Sequence, residues 1–283
     1  MKPELKKQLK LAAVDIRKGI MTSTHAAKSG HPGGSLSCAD AVAYLYFNEM
    51  RIRPEDPEWP ERDRFVLSKG HAAPAVYSAL ALRGYFPEEE LLTLRKIGSS
   101  LQGHPNMNLT RGIDMSTGSL GQGLSTAAGM AKGAKYLNKD INVYALCGDG
   151  EMNEGIVWEA LAFSSHYHLD NLCILVDMNG LQIDGKTADV LNMQPMDEKM
   201  KAFGCHVHHI EGHDFESLET GFNLFHEHHG TGKPTALLLS TEKGKGVAYM
   251  ESEAGWHGKA PNDMQYKIAM AELDAHRMAL EVL

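Results

Sequence analysis

The chain has 283 residues, 43% hydrophobic and 23% charged, with a formal net charge of −8. That is ordinary globular composition, and because no Pro- or Ser-rich linker divides it, residues 1–283 read as one large α/β domain. The acidic balance argues against a nucleic-acid-binding surface, since a phosphate backbone demands a basic one.

Residues 5–27 place Leu9, Ala12, Ala13, Ile16, Ile20 and Met21 on one face with lysines and arginines opposite, predicting an amphipathic helix. Charges interrupt this amino-terminal stretch throughout, so it lacks the apolar core of a signal peptide. No segment approaches the roughly 20 apolar residues of a membrane span. Ser29-Gly30-His31-Pro32-Gly33-Gly34 cannot extend the helix, because Pro32 and the glycines punctuate the backbone, and a second helix is expected from about 38 to 50. Residues 63–68 read as a short strand that turns through Lys69-Gly70-His71-Ala72 into a helix reaching about residue 83. An amphipathic segment, 88–96, precedes Gln102-Gly103-His104-Pro105 and then Ser116-Thr117-Gly118-Ser119-Leu120-Gly121-Gln122-Gly123, whose glycines permit a ligand close to the backbone. Residues 124–137 continue as a helix rich in Ala and Gly, suited to packing either on another helix or on this chain's own sheet.

Residues 143–147 are a short apolar run of the kind that forms a buried parallel strand. Gly148-Asp149-Gly150 breaks it, residues 151–165 show helical spacing at Ile156, Val157, Ala160, Leu161 and Phe163, and 172–176 is a second apolar run. In an open parallel sheet, ligands bind outside the carboxyl ends of the strands. Asp149 and Asn179, each just past a strand end, are therefore brought together from about thirty positions apart. A carboxylate and an amide oxygen flanked by glycines suit a hard cation that keeps ligand positions for phosphate oxygens. Magnesium, with six oxygens at about 2.0–2.1 Å, is the usual occupant. Gly-Asp-Gly or Asn-Gly alone is commonly a plain turn; the two at neighbouring strand ends are far more specific.

Residues 207–210 and 236–240 read as two further buried strands around a helix over 215–228. Histidines crowd this region, but strand alternation sends His208 and His209 to opposite faces and nothing completes a tetrahedral set, which argues against zinc. The loop 241–260, with Lys243-Gly244-Lys245-Gly246 and Trp256-His257-Gly258, is long for a structureless connection, and such loops are often functional. A closing helix is expected over 261–283, with Pro261 in its first turn. The four cysteines, Cys38, Cys147, Cys173 and Cys205, form no CxxC pair and sit mostly in or beside apolar runs, as reduced thiols of a cytoplasmic protein do.

Residues 148–160, GDGEMNEGIVWEA, with 177–185, DMNGLQIDG, resemble the metal-diphosphate motif of thiamine diphosphate enzymes, and the transketolase family in particular. SGHPGG, LSKGHA, QGHP with STGSLGQG, and WHG resemble further motifs of that family, so that the resemblance runs from about residue 5 to 270. It implies a three-layer thiamine diphosphate-binding α/β fold whose mostly parallel central sheet is flanked by helices. By the same resemblance, Asp149, Asn179 and the main-chain carbonyl of Leu181 would hold Mg²⁺, or another divalent cation such as Ca²⁺ or Mn²⁺, on the cofactor's diphosphate. His71, Gly118, Leu120, Gly148, Gly150, Glu154 and His257 would face the cofactor. His31 and His257 would handle substrate hydroxyl protons and His104 the donor's terminal hydroxyl, work suited to a side chain with an ordinary pKa near 6.5. Glu154 and Glu159 resemble interfacial acids that couple sites, although a solvated helix face explains Glu159 equally well.

The resemblance covers only about the amino-terminal third of a full-length transketolase. It implies the amino-terminal subunit of a split enzyme that moves a two-carbon ketol unit from a ketose (phosphate) donor to an aldose (phosphate) acceptor. A carboxy-terminal partner would carry the pyrimidine-binding domain, most simply in a heterotetramer of two copies of each chain. The alternatives are a deoxyxylulose phosphate synthase-like chain, a 2-oxoacid dehydrogenase α-like chain, or a non-catalytic diphosphate-binding module. The SGHPGG loop and the WHG histidine favour transketolase over the other enzymes, and the four loop histidines speak against a mere diphosphate binder.

Overall fold

A computed structural model describes residues 1–282. Helix α1 (Pro3–Ala27) buries Leu9, Ile16, Ile20 and Met21 completely and stops where Lys28 takes a left-handed conformation. The SGHPGG segment, expected as loop, instead closes into the short helix α2 (Pro32–Ser37), because Pro32 is preorganised for a first turn. Helix α3 (Ala39–Tyr44) follows and continues as a wide turn to Glu49, within the expected span. Then come β1 (Arg64–Leu67), α4 (Ala73–Leu82), α5 (Gln122–Tyr136), β2 (Val143–Gly148), α6 (Gly155–His166) and β3 (Leu172–Met178). A small hairpin of β4 (Leu181–Gln182) and β5 (Gly185–Lys186) leads to α7 (Thr187–Val190) and α8 (Met196–Ala202). The chain continues through β6 (His206–Glu211), α9 (Phe215–Glu227), β7 (Thr235–Ser240) and α10 (Asp263–Glu281).

Five strands form one sheet in the order β1-β2-β3-β7-β6, every neighbouring pair parallel. Side chains alternate across it, which divides the core into two layers. Tyr144, Leu146, Cys173, Leu175, Leu237 and Leu239 pack toward α1, α3, α4 and α9, with α10 outside α1; Ala145, Cys147, Ile174, Val176 and Leu238 pack toward α5, α6 and α8. This is the three-layer arrangement expected. The Ala- and Gly-rich helix α5 lays Leu124, Ala127, Ala128 and Ala131 against the sheet. No helix among the described residues is long and apolar enough to cross a membrane.

Two further expectations are corrected. Strand β6 is not fully buried: it is the sheet edge, where only Ile210 is enclosed and His209 and Glu211 are exposed. Helix α10 begins at Asp263, one residue beyond Asn262, because Asn262 and Gln265 form a reciprocal capping box with bonds of 2.9 and 3.0 Å; Pro261 stays outside it. Residue 283, the end of the expected closing helix, lies outside the described residues. Helix α8, which no sequence signal announced, fills the space beside β6 with Met196 and Met200.

Candidate functional site

Because all five strands run the same way, their carboxyl ends share one edge, and the residues just past them meet there. The tip of β2 supplies Asp149 and the tip of β3 supplies Asn179. Asp149 accepts from the Gly150 amide at 2.8 Å through Oδ1 and from the Gly180 amide at 2.6 Å through Oδ2, so the two turns are bonded to each other. The Asn179 Oδ1 accepts from the Leu181 amide at 3.1 Å, and the Leu181 carbonyl faces the Lys243 ammonium at 3.4 Å. One carboxylate, one amide oxygen and one peptide carbonyl make an all-oxygen donor set, which fits a hard divalent cation with open positions for phosphate. Burial, and then the neighbouring Asp177, push the Asp149 carboxyl up to about 6. A cation beside it would restore the charged form, so the residues present fit the group.

Behind this set lies a charge pair that the sequence did not announce. Lys69, past the end of β1, and Asp177, in β3, are both fully enclosed and in direct contact. Asp177 also accepts from Ser37, from Thr241 and from the Asn179 amide at 2.9 Å, while Lys69 donates to the Gly34 carbonyl at 2.8 Å. Burial opposes ionisation of both groups, but each outweighs it for the other: the Lys69 ammonium is raised and the Asp177 carboxyl lowered. The signal that could have found it is an aspartate inside an otherwise apolar run. Glu151 is a second residue that sequence reasoning missed. Buried at the start of the turn after β2, it accepts from the Gly121 amide at 2.7 Å, the Gly148 amide at 3.0 Å and the Ser68 hydroxyl, pinning the glycine-rich loop to the strand ends.

The four loop histidines come together above this edge. His31 lies 5.4 Å from His71, 6.1 Å from His104 and 5.3 Å from His257 between ring centres, and His71 lies 5.0 Å from His257. Two glycines of α2 make the approach possible. A side chain at Gly33 would meet the Trp256 carbonyl at 2.9 Å, and one at Gly34 would meet the His71 ring at 3.3 Å. The 241–260 segment is accordingly not a free loop: it docks on α2 through Gly244 N–H to the Gly33 carbonyl at 3.0 Å, which delivers His257 to His31. Gly118, at φ +138°, leaves room for the His104 ring 3.1 Å from where its Cβ would stand. Desolvation, followed by nearby positive charge, drives the imidazoles toward the neutral form. His31 falls to about 4, with Arg95 the next cause, and His257 to about 3, with Lys243 the next cause. His71 is lowered by burial and then by Lys69, and His104 by burial and then by Arg95. An ammonium only donates, so the 3.0 Å contact from Lys243 to His257 Nδ1 places the ring's own proton on Nε2. The Lys243 ammonium is itself lowered to about 8, by burial and then by Lys69.

A cleft of about 300 Å³ joins the oxygen donors to the histidines. His31, His71, His104, His257, Gly118, Leu120, Gly148, Asp149, Gly150, Asn179 and Leu181 all line it, together with Lys243, Gln182 and Glu151. Glu154 does not. It stands exposed at the start of α6, beside Gly121, and Glu159 is exposed one turn further on. Two polar atoms of the site, His31 Nδ1 and Gln182 Nε2, are buried without a hydrogen-bond partner, as groups meant for a ligand would be. Elsewhere, His206, His208 and His228 stack as a column at 3.8 and 5.1 Å. No set of three His, Cys, Asp or Glu among the described residues is placed to hold a metal.

The family model for the transketolase thiamine diphosphate binding domain matches residues 9–277. The chain belongs to that family. It is 45% identical over 245 residues to the 6-deoxy-6-sulfo-D-fructose transketolase subunit SqwG of Clostridium sp. (strain MSTE9), covering 87% of this chain and 88% of that one. It is 40% identical over 273 residues to one of the subunits of the apulose-4-phosphate transketolase of Phocaeicola vulgatus, covering 96% of each. Human transketolase is 43% identical over 271 residues, but there the match spans 94% of this chain and only 42% of the relative. The crystal structure of transketolase from Campylobacter jejuni superposes with a TM-score of 0.86 at 28% identity, over 99% of this chain and 46% of that one. Relatives of the first kind are matched nearly end to end, whereas in the larger transketolases this family domain is less than half of the chain.

Proposed function

We propose that this chain is the amino-terminal, diphosphate-side subunit of a two-chain cytoplasmic transketolase, folding as one domain and transferring a two-carbon ketol unit between sugars. The observation that carries it is the convergence of four neutral imidazoles on the same cleft as the Asp149, Asn179 and Leu181 oxygens. A diphosphate site alone needs the oxygens; only a reaction that moves hydroxyl protons needs the histidines beside them.

When bound, thiamine diphosphate supplies the carbon nucleophile and the electron sink for the transferred unit. A divalent cation on Asp149, Asn179 and the Leu181 carbonyl would fix the diphosphate, and the buried Lys69–Asp177 pair would hold Asn179 in register. His71 and Lys243 add donors on the phosphate side. His257, with its proton on Nε2, offers a hydrogen bond to a substrate oxygen. His31, neutral and with Nδ1 unpartnered, can accept a hydroxyl proton. His104, braced against Gly118, is placed for the donor's terminal hydroxyl. The sulfofructose and apulose phosphate relatives are named as subunits, which supports a separately encoded partner. Both names also describe sugars with an anionic group, which favours phosphorylated or similarly charged substrates.

Asp149→Ala tests the cation site. Removing the only side-chain carboxylate of the donor set should leave circular dichroism unchanged and abolish metal-dependent thiamine diphosphate binding in calorimetry of the assembled enzyme. Unchanged cofactor affinity would refute the assignment.

A further inference from the structure

We infer that Arg95 is a positioning residue for His31 and His104, tying together the two loops that carry them and setting their spacing; this rests on the transketolase reading of the cleft. Three features of the backbone place this one side chain. Arg95 sits at φ +61°, a left-handed conformation that residues with a Cβ rarely adopt, with its amide bonded to the Leu101 carbonyl at 2.8 Å. Its guanidinium then lies over Gly103, where a Cβ would stand only 2.8 Å from Cζ, so the residue before His104 is kept bare beneath it. Its Nη1 donates to the Ser29 hydroxyl at 3.3 Å, two residues before His31. The same loop is fastened from the other side by Tyr77, whose hydroxyl donates to the Gln102 carbonyl at 2.9 Å. Arg95 is thus the strut between the two loops.

Its charge has a second effect. The Arg95 side chain is exposed, so solvent shares in screening the charge that it turns toward the two rings. His31 has no hydrogen bond at Nδ1 to fix its proton, and the groups facing it are Arg95, Lys243 and the rings of His71, His104 and His257. His104 faces Arg95 and His31. After burial, Arg95 is the leading cause that keeps both imidazoles neutral and able to accept protons.

The decisive measurement needs no activity. Histidine side-chain NMR titration of this chain, assigned with His31→Gln and His104→Gln, is compared between wild type and Arg95→Met. The inference expects both titrations to move upward in Arg95→Met, the direction in which removing a nearby like charge acts. Arg95→Lys should return them toward wild type. Unmoved titrations would overturn the inference. Should Arg95→Met not fold, Gly103→Ala, whose methyl displaces the guanidinium, gives the same readout. In the assembled enzyme, Arg95→Met should lower kcat about tenfold, as a misplaced acid–base pair does, with unchanged cofactor affinity and the acid limb of the pH profile shifted upward. A wild-type assembly that transfers no ketol unit would remove the functional reading, while the titration would still decide whether Arg95 governs the pair.

Discussion

Single residues here are tuned by what surrounds them, and His257 shows the sign of that tuning. Its imidazole is pulled down to about 3 by burial and then by Lys243, so at neutral pH it is uncharged with its proton on Nε2. The segment that carries it is held by Gly33, Gly244 and Trp256, none of which depends on the imidazole. His257→Ala should therefore lower ketol transfer by roughly 10²–10⁴, the usual worth of a positioned acid or base, with little change in melting temperature at pH 7. The same lowering predicts a stability effect in acid. Below about pH 6.5 the unfolded chain takes up a proton at this position, whereas the folded chain does not until about pH 3, so stability is lost as pH falls through that window. Melting curves at pH 7 and pH 5 should show the wild type losing more than His257→Ala. Equal losses in the two proteins would mean that His257 is not held neutral by the fold.

At the scale of elements, the site depends on loops that are fastened rather than merely adjacent, and the Lys69–Asp177 pair fastens the most. It joins the end of β1 to β3, reaches α2 through Ser37 and Gly34, and takes in Thr241 after β7. Lys69→Met would leave a carboxylate fully enclosed without its counter-ion, at a cost of about 3–5 kcal/mol. Denaturant unfolding should show that loss, and Lys69→Met with Asp177→Asn should recover part of it. If the double variant were as unstable as the sum of two separate losses, the pair would not be the unit described. Much of this architecture is legible in the sequence, because the runs at β2, β3 and β7 are buried on both faces and read as unbroken apolar stretches. The four histidine loops are legible as Gly- and Pro-marked breaks beside those runs. Lys69, Asp177 and Glu151 are not, since a buried charge is defined by a partner brought in by topology: Glu151 meets the Gly121 amide across thirty positions. The SGHPGG segment misleads for a related reason. Its glycines look like loop residues, but Gly33 and Gly34 are small because the Trp256 carbonyl and the His71 ring pack against them. Strand β6 misleads because its apolar residues do not say that it is the sheet edge.

At the scale of the whole molecule, large apolar side chains stand uncovered at the cleft and at the end of α5. Leu120 and Ile183, which line the cleft, are 37% and 69% exposed, and Glu154, beside Gly121, is uncovered. On α5, Gly129 and Gly133 face open space, with Tyr136 and Leu137 exposed at the helix end. Small helix residues that face open space allow a partner helix close, and exposed large apolar side chains favour such a cover. On the proposed reading, the groups gathered in the cleft would serve the diphosphate and the substrate hydroxyls. The resemblance set out from the sequence implies that the pyrimidine-binding half of the site comes from a carboxy-terminal partner. The chain should therefore be inactive alone and active with its complementary chain, most simply as two copies of each, since closed symmetry satisfies both interfaces. The measurement is a ketol-transfer assay with Mg²⁺, thiamine diphosphate, a ketose phosphate and an aldose phosphate, run on this chain, on the complementary chain and on the mixture. Sedimentation of the mixture gives its stoichiometry. Turnover only in the mixture, lost when a bulky Arg replaces Gly129 or Gly133 on α5, is the expected result. Full turnover by this chain alone would end the two-chain reading, and turnover in the mixture that ignores those substitutions would move the interface elsewhere.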